Sequence, residues 1–277
     1  MKIVRTVQEL DDLLDRSKSI GFVPTMGALH EGHLSLIREA QAHNDMAVAS
    51  IFVNPTQFGP REDFARYPRN EQADAEKAGS AGIDIIYAPS IEEVYPTFDT
   101  SVRVGGLSER YEGEFRPGHF DGVSTVVCKL FNLVRPTVAY FGRKDLQQCA
   151  VIRRMVLDLC MPLKIEVLPT IRETSGLALS SRNIYLTEDE LKLAPLIYET
   201  LSALAVQLKE TNDIDECGRV LESGKNTLAR AGFDVQYLDL VDSDSFLQVR
   251  AAKPGASLIF AGYLGGTRLI DNVPVYA

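Results

Sequence analysis

The feature that most restricts this chain's fold is the alternation of short β-rich runs with helix-spaced stretches between residues 19 and 170. SIGFVPT (19–25) reads as a buried strand, followed by helical spacing to about His43. MAVASIFV (46–53) is a second apolar strand, and a polar stretch with helical spacing (69–79) leads to a third, GIDIIYAP (82–89). Apolar positions recur at helical spacing over 120–134 and stop before Arg135-Pro136. TVAYFG (137–142), a helical stretch (145–160) and KIEVLPT (164–170) complete the series. Strands separated by helices of this length predict an α/β fold, with a doubly wound parallel sheet and helices on both faces. Such a sheet gathers its strand-to-helix loops at the carboxyl ends of the strands, where ligands bind. After about residue 171 the rhythm changes. Two helical stretches (187–210 and 213–231) precede strands near 234–241, 256–263 and 268–275. That order predicts a smaller α+β domain over 171–277, after a first domain over 1–170.

Composition excludes several function classes. Of the 277 residues, 45% are hydrophobic and 24% charged, as in ordinary globular proteins and unlike disordered or collagenous chains. No apolar run approaches the roughly 20 residues that span a bilayer, so no membrane is expected as a partner. Acids in MKIVRTVQELDDLLDR stand where an export signal needs an apolar stretch, which makes the cytoplasm the expected compartment. The net charge of −9 comes without a basic stripe, so no nucleic-acid partner is expected. Cys128, Cys149, Cys160 and Cys217 form no CxxC pair and read as reduced, mostly buried thiols.

The most informative segment is Pro24-Thr25-Met26-Gly27-Ala28-Leu29-His30-Glu31-Gly32-His33, which follows a buried strand and opens a helix. A turn of this kind points backbone N–H groups at an anion, and Gly27 allows close approach. His30 and His33, three residues apart, project from one face of the first helical turn. Two imidazole donors there suit phosphate oxygens whose charge grows during transfer. A zinc site is the competing reading. It is disfavoured because zinc proteases space their histidines four apart and only His43 and His119 remain as further histidine ligands.

HxGH in this setting resembles the signature of the nucleotidyltransferase superfamily, which includes class I aminoacyl-tRNA synthetases. The longer string PTMGALHEGHLSL, with VNPTQF (53–58), RPGHFDGV (116–123), YFGRKDLQQ (140–148) and LALSSRN (177–183), resembles the pantothenate synthetase family within it. The resemblance implies a Rossmann-like first domain and an enzyme, a ligase, that joins (R)-pantoate to β-alanine through pantoyl adenylate. ATP with Mg²⁺ would be consumed, and AMP and pyrophosphate released.

The resemblance also implies roles residue by residue. Catalysis would rest on His33, the proton donor, and on His30, Lys144 and Arg182. ATP would be bound by Met26, Gly27, Ala28, Leu29, His30, Glu31, Gly32 and His33. Gly142, Arg143, Lys144 and Asp145, then Ile171, then Leu179, Ser180, Ser181 and Arg182 would complete its site. The family usually has Glu where Arg143 stands and Met where Leu179 stands. Pantoate would be held by Gln57, Gln148 and Met26, and β-alanine by Gln57. Arg116 and His119 are expected over the cleft as part of a lid. No protein metal cluster is expected. Asp74 is a candidate outer acid for Mg²⁺, although its helix position reads as solvated. A hinge near 170–180 and a homodimer are further expectations. Two alternatives stay open, a nucleotidyltransferase that leaves AMP on its product and a non-catalytic nucleotide-binding module; an aminoacyl-tRNA synthetase is disfavoured by length, acidity and the lack of lysines in the SSRN loop.

Overall fold

The structure, a computed structural model, describes residues 1–60, 62–211 and 213–276. It contains two compact units, the first formed by Met1–Arg143 with Val151–Pro169, the second by Lys144–Ala150 with the chain from Thr170 onward.

Along the first stretch of chain lie β1 (Lys2–Val4), α1 (Val7–Leu13), β2 (Ile20–Thr25), α2 (Glu31–His43), β3 (Met46–Ile51), α3 (Glu71–Ser80) and β4 (Ile85–Tyr87). Short α4 (Ile91–Val94) and α5 (Glu112–Phe115) lead to α6 (His119–Val134), β5 (Val138–Gly142), α7 (Leu146–Asp158) and β6 (Lys164–Leu168). The six strands form one parallel sheet in the order β1-β4-β3-β2-β5-β6. Both faces of its centre are covered, which is why β2, β3 and β4 read as nearly unbroken apolar runs. Phe131 of α6 meets Phe22 of β2 and Phe141 of β5 edge to face, closing one side of the sheet. β1 has one buried residue in three at the sheet edge, too short a pattern for periodicity to reveal.

Strand order reverses between β2 and β5, the topological switch point where such sheets open a crevice. The β2–β3 ladder runs to Thr25↔Ile51, whereas the β2–β5 ladder holds only Gly21↔Val138 and Phe22↔Ala139. Pro24, which has no N–H to donate, lies beyond the point where the β2–β5 ladder stops.

The second unit holds α8 (Glu188–Leu193), α9 (Leu196–Glu210) and α10 (Ile214–Arg230), then β7 (Phe233–Asp242), β8 (Ala256–Leu264) and β9 (Thr267–Pro274). The three strands form an antiparallel sheet in chain order. Leu201, Leu204 and Leu208 of α9 meet Leu228 of α10 and Leu238, Leu240, Leu258 and Phe260 of the sheet in one core. The stretch 187–210, expected as one helix, is two. It breaks at Ala194-Pro195, where proline cannot supply the helical N–H. Glu188–Glu210 is apolar enough on average to cross a bilayer. The break and the burial of Leu201, Leu204 and Leu208 in this core mark it instead as core helix.

Candidate active site

The turn after β2 is held by groups distant in sequence. Gly27 and Ala28 both have positive φ, +82° and +51°. For an alanine that conformation costs roughly 1–2 kcal/mol and needs outside support. Support comes from Asp74 of α3, whose side chain is almost wholly buried. Its Oδ2 accepts from Ala28 N at 2.8 Å and its Oδ1 from Leu29 N at 2.7 Å. One helical turn on, Lys77 Nζ donates to the Leu29 carbonyl at 2.7 Å. Thr25 Oγ1 accepts from Gly27 N at 3.2 Å. Asp74 is therefore not a solvated helix residue. Its carboxylate occupies the backbone anion site that the strand-to-helix turn creates, so a phosphate arriving there would meet side-chain donors. The sequence held a faint signal, since Asp74 stands beside Ala75 and Ala78 on the buried face of α3.

His30 and His33 cap α2 reciprocally. His30 Nδ1 accepts from Gly32 N at 3.2 Å, and His33 Nδ1 from His30 N at 3.4 Å. The ring centroids are 4.1 Å apart. With both Nδ1 atoms acting as acceptors, each neutral ring carries its proton on Nε2, the nitrogen away from the helix. The arrangement is a pair of N–H donors at the carboxyl end of β2. Glu31, in contrast, is exposed and paired with Arg38 of the same helix.

Gln57 lies in a 3₁₀ turn (Pro55–Gln57) after β3 and is buried. Buried Asn54 donates from Nδ2 to Gln57 Oε1 at 3.1 Å and to the Gly122 carbonyl of α6 at 3.2 Å. Asn54 Oδ1 accepts from Tyr95 Oη at 2.9 Å and from Thr56 Oγ1 at 2.9 Å. With Oε1 committed to Asn54, the amide turns its NH₂ toward Met26, and Nε2 lies 3.2 Å from Met26 Sδ. The structure thus joins two residues expected at pantoate. In the sequence Asn54 is legible only as part of the VNPTQF string, because no local pattern shows whom a buried amide will meet.

Arg116 and His119 are not arranged as a lid. His119 is buried, with Nδ1 2.9 Å from the Gln57 carbonyl and Nε2 3.1 Å from Arg116 Nη1. A guanidinium only donates, so His119 is neutral, accepting at Nε2 and donating from Nδ1 to Gln57. Burial, reinforced by the Arg116 charge, lowers its pKa to about 4. Arg116 is largely buried, pairs with Glu62 at 2.6 and 2.9 Å and lies 4.0 Å from Glu112. Together these residues buttress the Gln57 turn from below.

Gly142 ends β5 and Arg143-Lys144-Asp145 form one 3₁₀ turn, Arg143 ending a segment of the first unit and Lys144 beginning one of the second. Lys144 Nζ lies 3.7 Å from Asp145 Oδ2. Gln148, half-buried, is in the first turn of α7 within the second unit. Farther along that unit, Ile171 and Leu179 face each other across a hairpin, with Leu179 N donating to the Ile171 carbonyl at 3.0 Å. Ser180 caps the following 3₁₀ turn (Ser181–Tyr185), its Oγ accepting from Arg182 N at 3.2 Å. Ser181 and Arg182 are both partly exposed. Among the described residues no group of three or more His, Cys, Asp or Glu side chains could cage a metal ion.

A family model described as pantoate-beta-alanine ligase matches residues 2–274. The chain is 49% identical to pantothenate synthetase 1 of Bradyrhizobium diazoefficiens, over 99% of this chain and 98% of that one. It is likewise 49% identical to the pantothenate synthetase of Rhodospirillum rubrum, over 99% of both. Its structure resembles the crystal structure of pantothenate synthetase from Thermus thermophilus, with TM-score 0.95 and 46% identity over 100% of both chains. It also resembles a pantoate-beta-alanine ligase from Francisella tularensis complexed with beta-gamma ATP and beta-alanine, with TM-score 0.84, 36% identity and coverage of 100% and 98%. A match along nearly the whole sequence, with relatives about half identical from end to end, places the chain in the pantoate–β-alanine ligase family.

Proposed function

We propose that the chain joins (R)-pantoate to β-alanine at the expense of ATP. In the first step a pantoate carboxylate oxygen attacks the α-phosphorus, the bond to the bridging oxygen breaks, and pyrophosphate leaves. In the second, the β-alanine amine attacks the acyl carbon of pantoyl adenylate, loses a proton, and AMP departs as pantothenate forms. The supporting observation is the His30–His33 pair, whose reciprocal capping through Nδ1 makes Nε2 the donor nitrogen of each neutral ring in the turn that follows β2.

Within the first unit, His30 and His33 stabilise charge growing on the phosphate oxygens, with His33 as proton donor. The turn from Met26 to His33 lies along the nucleotide. Gln57 presents its NH₂ to the pantoate hydroxyl or carboxylate, and later to β-alanine, with Met26 as an apolar wall. Within the second unit, Lys144, Ser180, Ser181 and Arg182 hold phosphate oxygens, Asp145 the ribose, Gln148 pantoate and the main chain of Ile171 the adenine. Gly142, Arg143 and Leu179 contribute backbone, which explains why Arg143 and Leu179 can depart from the family's usual residues. Mg²⁺ brought in on ATP would supply charge neutralisation at the phosphates and would be held mostly by phosphate and water oxygens. The prior engagement of both Asp74 oxygens by backbone fits that mode.

The division into a nucleotide- and pantoate-binding domain over 1–170 and a smaller domain over 171–277 belongs to the same reading. The chain is placed in the cytoplasm, where ATP is abundant and an exposed thiol such as Cys160 stays reduced. Two copies pair as a homodimer. The open β6 edge, and Leu157 and Leu159 at 68% and 51% exposure near the end of α7, support association.

The deciding experiment measures AMP and pyrophosphate release from MgATP with pantoate alone, with β-alanine alone, and with both. Sustained AMP formation only with both, and pantothenate as product, is the expected result. Pyrophosphate release without AMP under all conditions would favour a nucleotidyltransferase instead. No turnover by folded, ATP-binding protein would overturn the reading.

A further inference from the structure

The C-terminal strand contains two adjacent buried polar residues that the reaction above does not use: Asp271 and Asn272 of β9, at 5% and 4% exposure. Strand centres rarely bury a carboxylate and an amide side by side unless each has a demanding partner. Asp271 grips Arg172 with both oxygens, at 2.6 and 2.8 Å. Arg172 also donates to the carbonyls of Gly176 at 3.1 Å and Asn272 at 3.3 Å, and its guanidinium stacks 3.8 Å from the Tyr198 ring centroid. Arg172 lies in the hairpin that pairs with Ala178 and ends in Leu179-Ser180-Ser181-Arg182. At the hairpin tip Gly176, with φ of +94°, approaches Tyr198 so closely that a Cβ would lie 2.9 Å from its ring. Arg172 is thus fixed on three sides, and the hairpin with it.

Asn272 reaches the other loop. Its Nδ2 donates to the carbonyl of Lys144 at 3.0 Å, across 128 residues of sequence. Consecutive strand residues point to opposite sides, which lets one dipeptide serve two segments.

We infer that Asp271 and Asn272 are positioning residues for ATP: one strand dipeptide sets the backbone of Lys144 and the hairpin bearing Ser180, Ser181 and Arg182 in a common register. Neither side chain need touch nucleotide. The dipeptide fixes where the cations stand, and a misplacement of about 1 Å in such a constellation can cost on the order of a hundredfold in rate. The inference rests on the assignment of Lys144 and Arg182 to ATP made above.

The test uses two nearly isosteric variants of the 277-residue chain. Asp271→Asn sets an NH₂ against a guanidinium, and Asn272→Asp sets a carboxylate against a carbonyl. Each is expected to raise the KM for ATP about tenfold or more, leave the KM for pantoate within about twofold, and retain a cooperative melt. Gln236→Ala, which removes a 2.7 Å bond from Arg268 in the same sheet, is the structural control and is expected to leave the ATP KM unchanged. Should Asp271→Asn fail to fold, Arg172→Lys, which keeps a cation beside Asp271 but loses the bidentate grip, and Asn272→Ser, which no longer reaches the Lys144 carbonyl, carry the same expectation. Wild-type ATP kinetics in the folded variants would overturn the inference, as would an equal rise in Gln236→Ala. Lys144→Ala and Arg182→Ala separate the two layers. If they leave ATP use intact, the site assignment falls and this inference with it. If they impair it while the β9 variants do not, the inference alone falls.

Discussion

Two imidazoles on one helical turn can serve many purposes, and in this protein their hydrogen bonds select one. Each Nδ1 accepts from a backbone N–H, so the proton of each neutral ring sits on Nε2 and both rings can act as donors. His33→Ala should therefore lower kcat for pantothenate formation by roughly two to three orders of magnitude, as for the loss of one donor to a developing charge. Circular dichroism should show the fold intact, and unchanged turnover would remove His33 from the mechanism. Asp74 acts one layer behind. Asparagine has the same shape but only one acceptor oxygen for two N–H groups, so Asp74→Asn leaves Ala28 or Leu29 facing an NH₂. A buried unpaired N–H costs about 1–3 kcal/mol, which a strained turn can shed by moving. The expected outcome is a fall in kcat of about tenfold or more, measured as pyrophosphate release, with a small change in melting temperature. Wild-type kcat in this variant would show that the turn holds its shape without the carboxylate.

At the level of elements, the 3₁₀ turn that carries Gln57 is set by how closely α6 approaches it. Gly122 makes that approach possible, since a Cβ there would lie 2.5 Å from the Thr56 carbonyl oxygen and 2.7 Å from Gln57 N. Those are backbone atoms, so an added methyl must push the whole turn away from α6. Gly122→Ala is expected to reduce kcat/KM for pantoate by about tenfold to a hundredfold while leaving the KM for ATP near wild type. Equal losses for both substrates would point to general loosening instead. The broken helix pair α8 and α9 carries a related lesson. The leucines of 187–210 keep helical spacing on both sides of Pro195, so periodicity alone reads one helix where missing N–H chemistry makes two.

For the molecule as a whole, His119 links stability to pH. Unfolded, its imidazole titrates near 6.5; folded, at about 4, because burial and Arg116 oppose the charge while Glu112 and Glu62 only partly favour it. As pH falls from 7 to 4 the unfolded chain takes up a proton that the native state refuses, so native stability declines through that window and levels off below it. In His119→Asn this contribution disappears. Between pH 7 and 4 the variant should gain on wild type by up to about 3 kcal/mol in urea unfolding. Parallel pH profiles for the two proteins would contradict a buried neutral imidazole.

What the sequence by itself determined is the part of the structure that local pattern encodes. Alternating strands and helices specified the doubly wound sheet, because both-face burial makes each strand an apolar run and each crossover an amphipathic helix. The HxGH string, VNPTQF and LALSSRN could be assigned for a similar reason, since each concentrates its chemistry within a few residues. Only the tertiary structure decided which buried polar group meets which. Asp74 holds Leu29 across 45 residues, Asn54 reaches Gly122 across 68, Arg172 meets Asp271 across 99, and Asn272 meets Lys144 across 128. Periodicity reports how much surface a residue buries but not the identity of its neighbour. The partner of a buried carboxylate or amide is chosen by the packing of whole elements, which no local pattern records.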